Sequence, residues 1–126
     1  MKGLIIQQGP LDKILDGKKQ WEIRGSRTHH RGTIALIQSK SGKVFGVCDL
    51  ADCIGPLTSE QFRKNARKAG LRPDDARLGY YRTTFAWALE NPRPLSKPVA
   101  YVHPAGAVIW VELDARTSRS VLRNLP

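Results

Sequence analysis

The segment from Gly17 to Gly32 concentrates charged and titratable residues that could bind a ligand or take part in catalysis. One acid, Glu22, stands among seven basic or titratable side chains, which are Lys18, Lys19, Arg24, Arg27, His29, His30 and Arg31. Cations at this density hold phosphate or carboxylate oxygens, and a carboxylate among them accepts hydrogen bonds from amino or hydroxyl groups. The segment therefore predicts a binding site for an anionic ligand.

The order of residues inside this segment indicates how a strand would display the site. Polar and apolar side chains alternate from Gln20 to Arg24. At the two-residue period of a strand, Trp21 and Ile23 lie on one face, while Glu22 shares the other face with Gln20 and Arg24. We expect the first face to pack into the core and the second face to form the binding site. A simpler interpretation also stays open, in which Glu22 and Arg24 only pair with each other.

A short helix is predicted just before the strand. Pro10 near its start and the helical spacing of the following apolar residues favour a helix over 10–16. Gly17 can end this helix in a left-handed conformation. Lys18 and Lys19 then emerge at a helix-to-strand corner, beside the polar face of the strand.

Four residues of the segment carry a family signature at fixed spacing. Gly17, Lys19, Glu22 and Arg24 match GxKxxExR, and the pair Arg31-Gly32 stands where the family commonly has Arg-Gly. The segment resembles the ASCH domain, a relative of the PUA family of RNA-binding barrels. Residues 32–57 and 85–113 resemble the strands that follow the signature in that family. The resemblance covers about nine tenths of the chain, and we expect one ASCH domain over 1–114.

Strand patterns outnumber helix patterns in the rest of the chain. Strands are expected at 2–7, 33–38, 44–54, 85–89 and 108–113, with a hairpin turn at 39–43 and a bulge at Gly46. Residues 91–98, with three prolines, predict a rigid loop. Together with the resemblance, these patterns predict a mainly β fold with helical insertions. The expected architecture is a small PUA-like β-barrel of five or six mixed strands flanked by short helices.

A second helix is predicted over 58–69, with unusually complete end signals. Thr58 and Gln61 have the spacing of a capping box, and Gly70 ends the helix. Phe62, Ala66 and Ala69 form its predicted buried stripe, which leaves four cations on the solvent side, namely Arg63, Lys64, Arg67 and Lys68. Such a face is either simply solvated or a surface for phosphate contacts. The last residues, 115–126, are basic and poor in apolar side chains, which predicts a flexible tail.

Two further tyrosines are candidate ligand contacts. Tyr80 and Tyr81 lie between Arg77 and Arg82. If exposed, their rings would stack on nucleobases; if buried, they would fill the mouth of the barrel. The sequence leaves both interpretations open.

Composition favours a nucleic acid as the partner. The 126 residues fit a single domain, and they carry a net charge of +10 with a pI of about 10.1. Cys48 and Cys53 are expected on opposite faces of one strand as reduced thiols, and no CxxC pair or histidine spacing predicts a zinc site. We expect no metal and no cofactor. The apolar run near the N-terminus is too short for a secretion signal or a membrane span, which predicts a cytoplasmic protein without membrane contact.

Binding is the first function that these residues predict. A cleft floored by Glu22 and Arg24 would be rimmed by cations that fix phosphates, and Glu22 would accept a hydrogen bond from a base amino group or a ribose hydroxyl. Because the resemblance implies action on RNA, the expected ligand is RNA or another single-stranded nucleic acid, or a modified nucleoside. The expected binding residues are Lys18, Lys19, Glu22, Arg24, Arg27, His29, Arg31, Tyr80 and Tyr81.

Two catalytic alternatives follow from the resemblance. Some ASCH proteins are amidohydrolases of N4-acetylcytidine, which implies Lys19 as a nucleophile, although Glu22 stands where those proteins have a hydroxyl residue. Glu22 could instead act as a general base for water, with Lys19 or Arg24 stabilising the oxyanion. The other alternative is metal-independent RNA cleavage, with His29 and His30 as acid and base.

Overall fold

The computed structural model describes residues 1–75 and 82–126, and these residues fold around one mixed sheet. Its elements are β1 (Lys2–Ile6), α1 (Gln8–Leu15), β2 (Trp21–Arg24), β3 (Gly32–Gln38), β4 (Lys43–Ile54), α2 (Ser59–Asn65), β5 (Phe85–Ala100), β6 (Trp110–Glu112) and α3 (Ala115–Arg123). A 3-10 helix, Ala66–Ala69, follows α2 directly. The strand order is β2-β5-β4-β3-β1-β6, with β1 and β3 parallel and the other neighbours antiparallel.

Register shifts curl this sheet into a half-barrel. The pairing of β4 with β5 shifts in three places, and one of the shifts lies between Val44 and Gly46. Such irregularities bend a strand and increase its twist. Gly46 has no room for a side chain, because a Cβ atom there would lie 2.9 Å from the carbonyl oxygen of Arg93. The predicted mainly β fold of five or six mixed strands with short helices is confirmed.

The core lies in three clusters on the two sides of the curled sheet. The concave side is filled by large apolar side chains that include Leu4, Ile34, Leu50 and Trp87. On the outside, one cluster packs beneath α3 and contains Val44, Val47 and Val121. The other lies beneath α2 and contains Trp21, Ile23 and Phe62. Each helix on the outside therefore covers its own patch of sheet.

The two helices predicted from end signals agree closely with the structure. The capping box of Thr58 and Gln61 is present in both directions, and Gly70 ends the 3-10 helix with φ of 69°. Gly17, with φ of 85°, follows α1 as expected. None of the helices in the described ranges is both long and apolar enough to cross a membrane.

The prediction of a rigid loop at 91–98 is wrong, because β5 runs through this segment to Ala100. Proline lacks a backbone N–H and is therefore tolerated in strands mainly at sheet edges. β2 pairs only with the first part of β5, from Phe85 to Ala88. Beyond that point β5 has β4 on one side only, so its prolines occupy an edge.

Residues 115–126 also differ from the predicted flexible tail. Asp114 caps α3 by accepting a hydrogen bond from the backbone N–H of Thr117 at 2.7 Å, and this bond lowers the pKa of Asp114. Val121 is fully buried in the cluster beneath α3, where Leu125 also packs. A few apolar side chains thus suffice to dock the helix, although its other faces are polar.

Val121→Ala is expected to lower the free energy of unfolding by about 2 kcal/mol, because two buried carbon atoms are removed and a cavity is left. Leu122→Ala is the matched control, since Leu122 is 51% exposed and should cost less than about 1 kcal/mol despite its larger truncation. Urea denaturation of both variants measures the difference. Equal, small effects would mean that α3 does not dock.

The cysteines occupy one cluster instead of opposite faces. Cys48 and Cys53 are both free thiols that join the concave core. The register shift between Leu50 and Asp52 changes the alternation of faces along β4, which simple period-two counting misses. Burial raises the pKa of Cys48 to about 12, so this thiol stays protonated at neutral pH.

Candidate functional site

A cavity of about 720 Å³ opens between α1, the end of β1, β2 and the 3-10 helix. Ligand pockets of small molecules and cofactors commonly have volumes of about 300–1,000 Å³. The polar wall is formed by Gln7, Lys13, Lys19, Glu22, Arg24 and Ser39. Ile5 and Leu71 contribute apolar surface. Lys19, Glu22 and Arg24 of the GxKxxExR signature therefore share one cavity wall.

Lys19 is buried and is held by several acceptors. Its Nζ donates to the carbonyl oxygens of Trp21 at 2.6 Å and Ala69 at 2.7 Å, and lies 3.4 Å from Oε1 of Glu22. An ammonium group has three N–H donors, and these acceptors match that number. Trp21 belongs to β2 and Ala69 to the 3-10 helix. Lys19 thus joins the strand to the helix while it positions Glu22.

Glu22 lies between two cations. Its Oε1 faces Lys19, and its Oε2 accepts a hydrogen bond from Nη2 of Arg24 at 3.0 Å. The same Nη2 of Arg24 donates to the carbonyl oxygen of Ile5 at 3.0 Å, which links β2 to β1 across the open side of the half-barrel. We call Lys19, Glu22 and Arg24 the ionic cluster. Since each member is partly or fully buried and bound on more than one side, its geometry is fixed before any ligand arrives.

Strand register explains why the ionic cluster faces the concave side. Glu22 pairs opposite Trp87 of β5, so both side chains project from the same face of the sheet. The guanidinium of Arg24 lies 5.6 Å from the ring centre of Trp87, a cation–π distance. Trp21 and Ile23 project from the other face into the cluster beneath α2. The predicted separation of Trp21 and Ile23 from Glu22 and Arg24 onto opposite faces is confirmed, whereas the binding role of the second face stays a prediction.

The predicted cationic rim differs from the observed one. Lys18, with its side chain 79% exposed, lies near Asp16 and does not line the cavity. Arg27 donates to the carbonyl oxygen of Gly55 at 3.0 Å and stacks over Phe85. These contacts draw the loop after β2 toward the end of β4. The loop cations are therefore carried away from the cavity that the strand residues enter.

The remaining loop candidates also lie apart from the cavity. Arg31 donates to the carbonyl oxygens of Thr28 and His30 and lies 3.9 Å from Asp52. His29 is exposed, and His30 packs edge-on against Trp110 with 5.7 Å between ring centres. Tyr80 and Tyr81, the predicted stacking residues, lie outside the described residues.

Lys13 is a cavity residue that sequence reasoning missed. It extends from the exposed side of α1, and its Nζ donates to the carbonyl oxygen of Gly70 at 3.1 Å. Lys13 therefore places a positive charge at the mouth of the cavity, next to the turn after the 3-10 helix. Gln7 and Ser39 were missed as well. Gln7 directly follows β1 and Ser39 directly follows β3, and these two strands are parallel neighbours. Their places at the ends of the two strands are the one feature of the sequence that could have indicated them.

The cavity wall surrounds the carboxylate of Glu22 with groups that form hydrogen bonds. Its wall supplies a carboxylate, an ammonium and a guanidinium, with the amide of Gln7 and the hydroxyl of Ser39 nearby. Within 1–75 and 82–126, no group of three or more His, Cys, Asp or Glu is arranged to hold a metal ion. The wall can therefore accept an amino or hydroxyl group at Glu22 and attract an anionic group at its cations.

The fold and the cavity define a small mixed-β half-barrel with a charged pocket between its first helix and its edge strand. The ASCH domain model matches residues 4–99, and the chain belongs to the ASCH domain family. The family resemblance seen in the sequence is thereby confirmed. The ligand-binding roles of the signature residues stay predictions.

Solved structures of similar shape come from the same family. The chain is similar to ASCH from Zymomonas mobilis, with a TM-score of 0.77, 14% identity, and coverage of 99% of this chain and 95% of that chain. A tyrosine-to-phenylalanine mutant of the Zymomonas protein gives a TM-score of 0.76 at 15% identity, covering 99% and 98% of the two chains. Its serine-to-alanine mutant gives 0.76 at 15%, covering 99% and 96%. At these identities the likeness shows the fold. No curated protein matches the chain.

Proposed function

We propose that this ASCH protein binds single-stranded RNA and takes one nucleotide into the cavity at the ionic cluster. The observation that carries the proposal is the carboxylate of Glu22, fixed by Lys19 and Arg24 in the wall of a nucleotide-sized cavity. A fixed acceptor of this kind recognises an amino or hydroxyl group by a charge-assisted hydrogen bond. A nucleotide carries such groups on its base and its ribose.

The surroundings of Glu22 suit the other parts of a nucleotide. Ile5 and Leu71 give apolar surface against which a base could pack. Lys13, which is exposed at the cavity mouth, supplies a cation for a phosphate. The net charge of +10 adds long-range attraction for a polyanion.

The amidohydrolase alternative is less well supported by the contacts of Lys19. An attacking amine needs a free lone pair, whereas the Nζ of Lys19 donates to two carbonyl oxygens and faces a carboxylate. These contacts suit an ammonium with a positioning role. Incubation with N4-acetylcytidine tests this alternative directly. Release of acetate by the wild type, lost in a Lys19→Ala variant that circular dichroism shows to be folded, would establish the hydrolase.

The ribonuclease alternative lacks a shared site for its residues. His29 and His30 do not line the cavity that contains Lys19, Glu22 and Arg24. A general acid or base must lie within hydrogen-bonding reach of the group whose proton it moves. Because neither histidine lines this cavity, we do not propose RNA cleavage.

Replacement of one cavity lysine tests the proposal against a matched control. Lys13→Gln removes the cation at the cavity mouth, and Lys18→Gln removes an exposed lysine that does not line the cavity. For an RNA of about eight nucleotides, a typical single-strand site size, Lys13→Gln is expected to weaken binding several-fold. It should also reduce the slope of log affinity against log salt by about 0.7, the value for one phosphate contact on a single strand.

Fluorescence anisotropy at several salt concentrations measures both quantities. Lys18→Gln is expected to bind like the wild type. A salt-independent affinity of the wild type, or equal losses in the two variants, would contradict a phosphate contact at the cavity mouth.

A further inference from the structure

The exposed side of α2 and the 3-10 helix forms a continuous basic surface. It consists of Arg63, Lys64, Arg67 and Lys68, which we call the basic helix face. These side chains point outward because Phe62, Ala66 and Ala69 pack inward against the sheet. No acidic residue occurs between Gln61 and Pro73, so this stretch has no local countercharge within its own sequence.

The acid nearest in sequence does little to neutralise this face. Glu60 lies 3.1 Å from Lys64, but both side chains are about 70% exposed. An exposed pair one helical turn apart is weak, so it yields readily to a stronger anion. The basic helix face therefore remains available to a polyanion.

The basic helix face is joined to the cavity by backbone contacts. The carbonyl oxygen of Lys68 accepts a hydrogen bond from the N–H of Gln20 at 2.7 Å, and that of Ala69 accepts from Lys19. Gly70 and Leu71, which follow the 3-10 helix, line the cavity itself. Lys68 directly precedes Ala69, which lines the cavity, so the basic helix face begins at the cavity wall.

We infer that the ligand is an RNA strand of several nucleotides, whose backbone leaves the cavity and runs along the basic helix face. This inference rests on the proposed function, because it assumes a nucleotide in the cavity. The cavity would hold one nucleotide, and the arginines and lysines of the basic helix face would contact the phosphates that follow it. Phosphate contacts of this kind add affinity without reading sequence.

If the inference is correct, substitutions in the basic helix face lower the affinity for an RNA strand but not the affinity for a mononucleotide. The variant is Arg63→Gln with Lys64→Gln and Arg67→Gln; Lys68 is kept because it lies over the ring of Trp21. The control removes an equal charge from α3 through Arg116→Gln, Arg119→Gln and Arg123→Gln, which are exposed on a helix that covers a different core cluster. The probes are an RNA of about eight nucleotides and the mononucleotides AMP and CMP.

The helix variant is expected to lose at least about tenfold in affinity for the RNA, with a salt slope reduced by about 2. Its affinity for AMP and CMP should stay at the wild-type value, and the α3 control should bind both kinds of probe like the wild type. Circular dichroism confirms that the variants are folded.

Three results would overturn the inference. In the first, the helix variant binds the RNA as tightly as the wild type. In the second, the helix variant and the α3 variant lose the same affinity for the RNA, which would mean that RNA binding depends only on total charge. In the third, the wild type binds RNA no more tightly than CMP. A different result would contradict the proposed function itself. In that case the helix variant loses affinity for RNA, but Glu22→Gln changes the affinity for neither RNA nor mononucleotides, so no nucleotide binds in the cavity.

Discussion

Lys19→Met is expected to lower the free energy of unfolding by about 3–5 kcal/mol, the cost of breaking a buried ion pair on one side. Methionine keeps much of the length and apolar character of lysine but has no donor. The carbonyl oxygens of Trp21 and Ala69 would lose their 2.6 and 2.7 Å hydrogen bonds from Nζ, and Glu22 would keep only Arg24. A loss of this size is a large part of the stability of a small domain.

Lys18→Met is the matched control for this experiment. Lys18 precedes Lys19 in the chain, but its side chain is 79% exposed. Its replacement should change stability by no more than about 0.5 kcal/mol. Urea denaturation followed by tryptophan fluorescence measures both variants. If Lys19→Met unfolds at the same urea concentration as the wild type, Lys19 has no structural role, and its assignment as a reactive amine regains support.

The second large effect concerns ligand binding by Glu22. Glu22→Gln keeps the shape of the side chain and removes its charge. Loss of a charge-assisted hydrogen bond to a nucleotide corresponds to about 1.5–3 kcal/mol, or a loss of roughly 10-fold to 100-fold in affinity. Whether the affinity falls or rises distinguishes a hydrogen bond to Glu22 from simple charge attraction. If RNA were held by charge attraction alone, removal of a negative charge would make binding tighter.

The control for this variant is Glu112→Gln. Glu112 is exposed on β6 and does not line the cavity, so it changes the net charge equally without touching the ionic cluster. Titration of AMP, CMP and UMP by calorimetry measures the effect, with near-ultraviolet circular dichroism as the test of folding. If Glu22→Gln is folded and binds as tightly as the wild type, or more tightly, Glu22 is not the ligand's acceptor.

The arrangement of the ionic cluster follows from local sequence. Glu22 and Arg24 are two residues apart in a strand, so they must share a face, and Gly17 places Lys19 at the corner beside them. These relations depend on backbone geometry over a few residues. A strand pattern and a glycine stop are therefore enough to predict them.

The rest of the site depends on contacts between distant parts of the chain. Lys19 reaches Ala69, 50 residues away, and Lys13 reaches Gly70, 57 residues away. Neither partner can be read from local periodicity. Likewise, the hydrogen bond of Arg27 to Gly55 sets the position of this loop residue, and charge density alone could not predict that contact.

Two of the errors in the fold have a similar cause. The prolines of β5 break a strand pattern, yet they are tolerated where β5 has a neighbour on one side only. Residues 115–123 lack the apolar content of a stable isolated helix. Docking of Val121 against the sheet stabilises that helix, as tertiary packing does for most short helices.

Backbone amide chemical shifts, followed during titration with a short RNA, show whether a nucleotide binds at the ionic cluster. If the cavity at the ionic cluster seats a nucleotide, the largest shifts should occur at Gly9, Arg24 and Gly70, which line it on three sides. The amides of His29 to Arg31 and of α3 should move little. Large shifts confined to those regions, with the cavity amides unchanged, would contradict nucleotide binding by Lys19, Glu22 and Arg24.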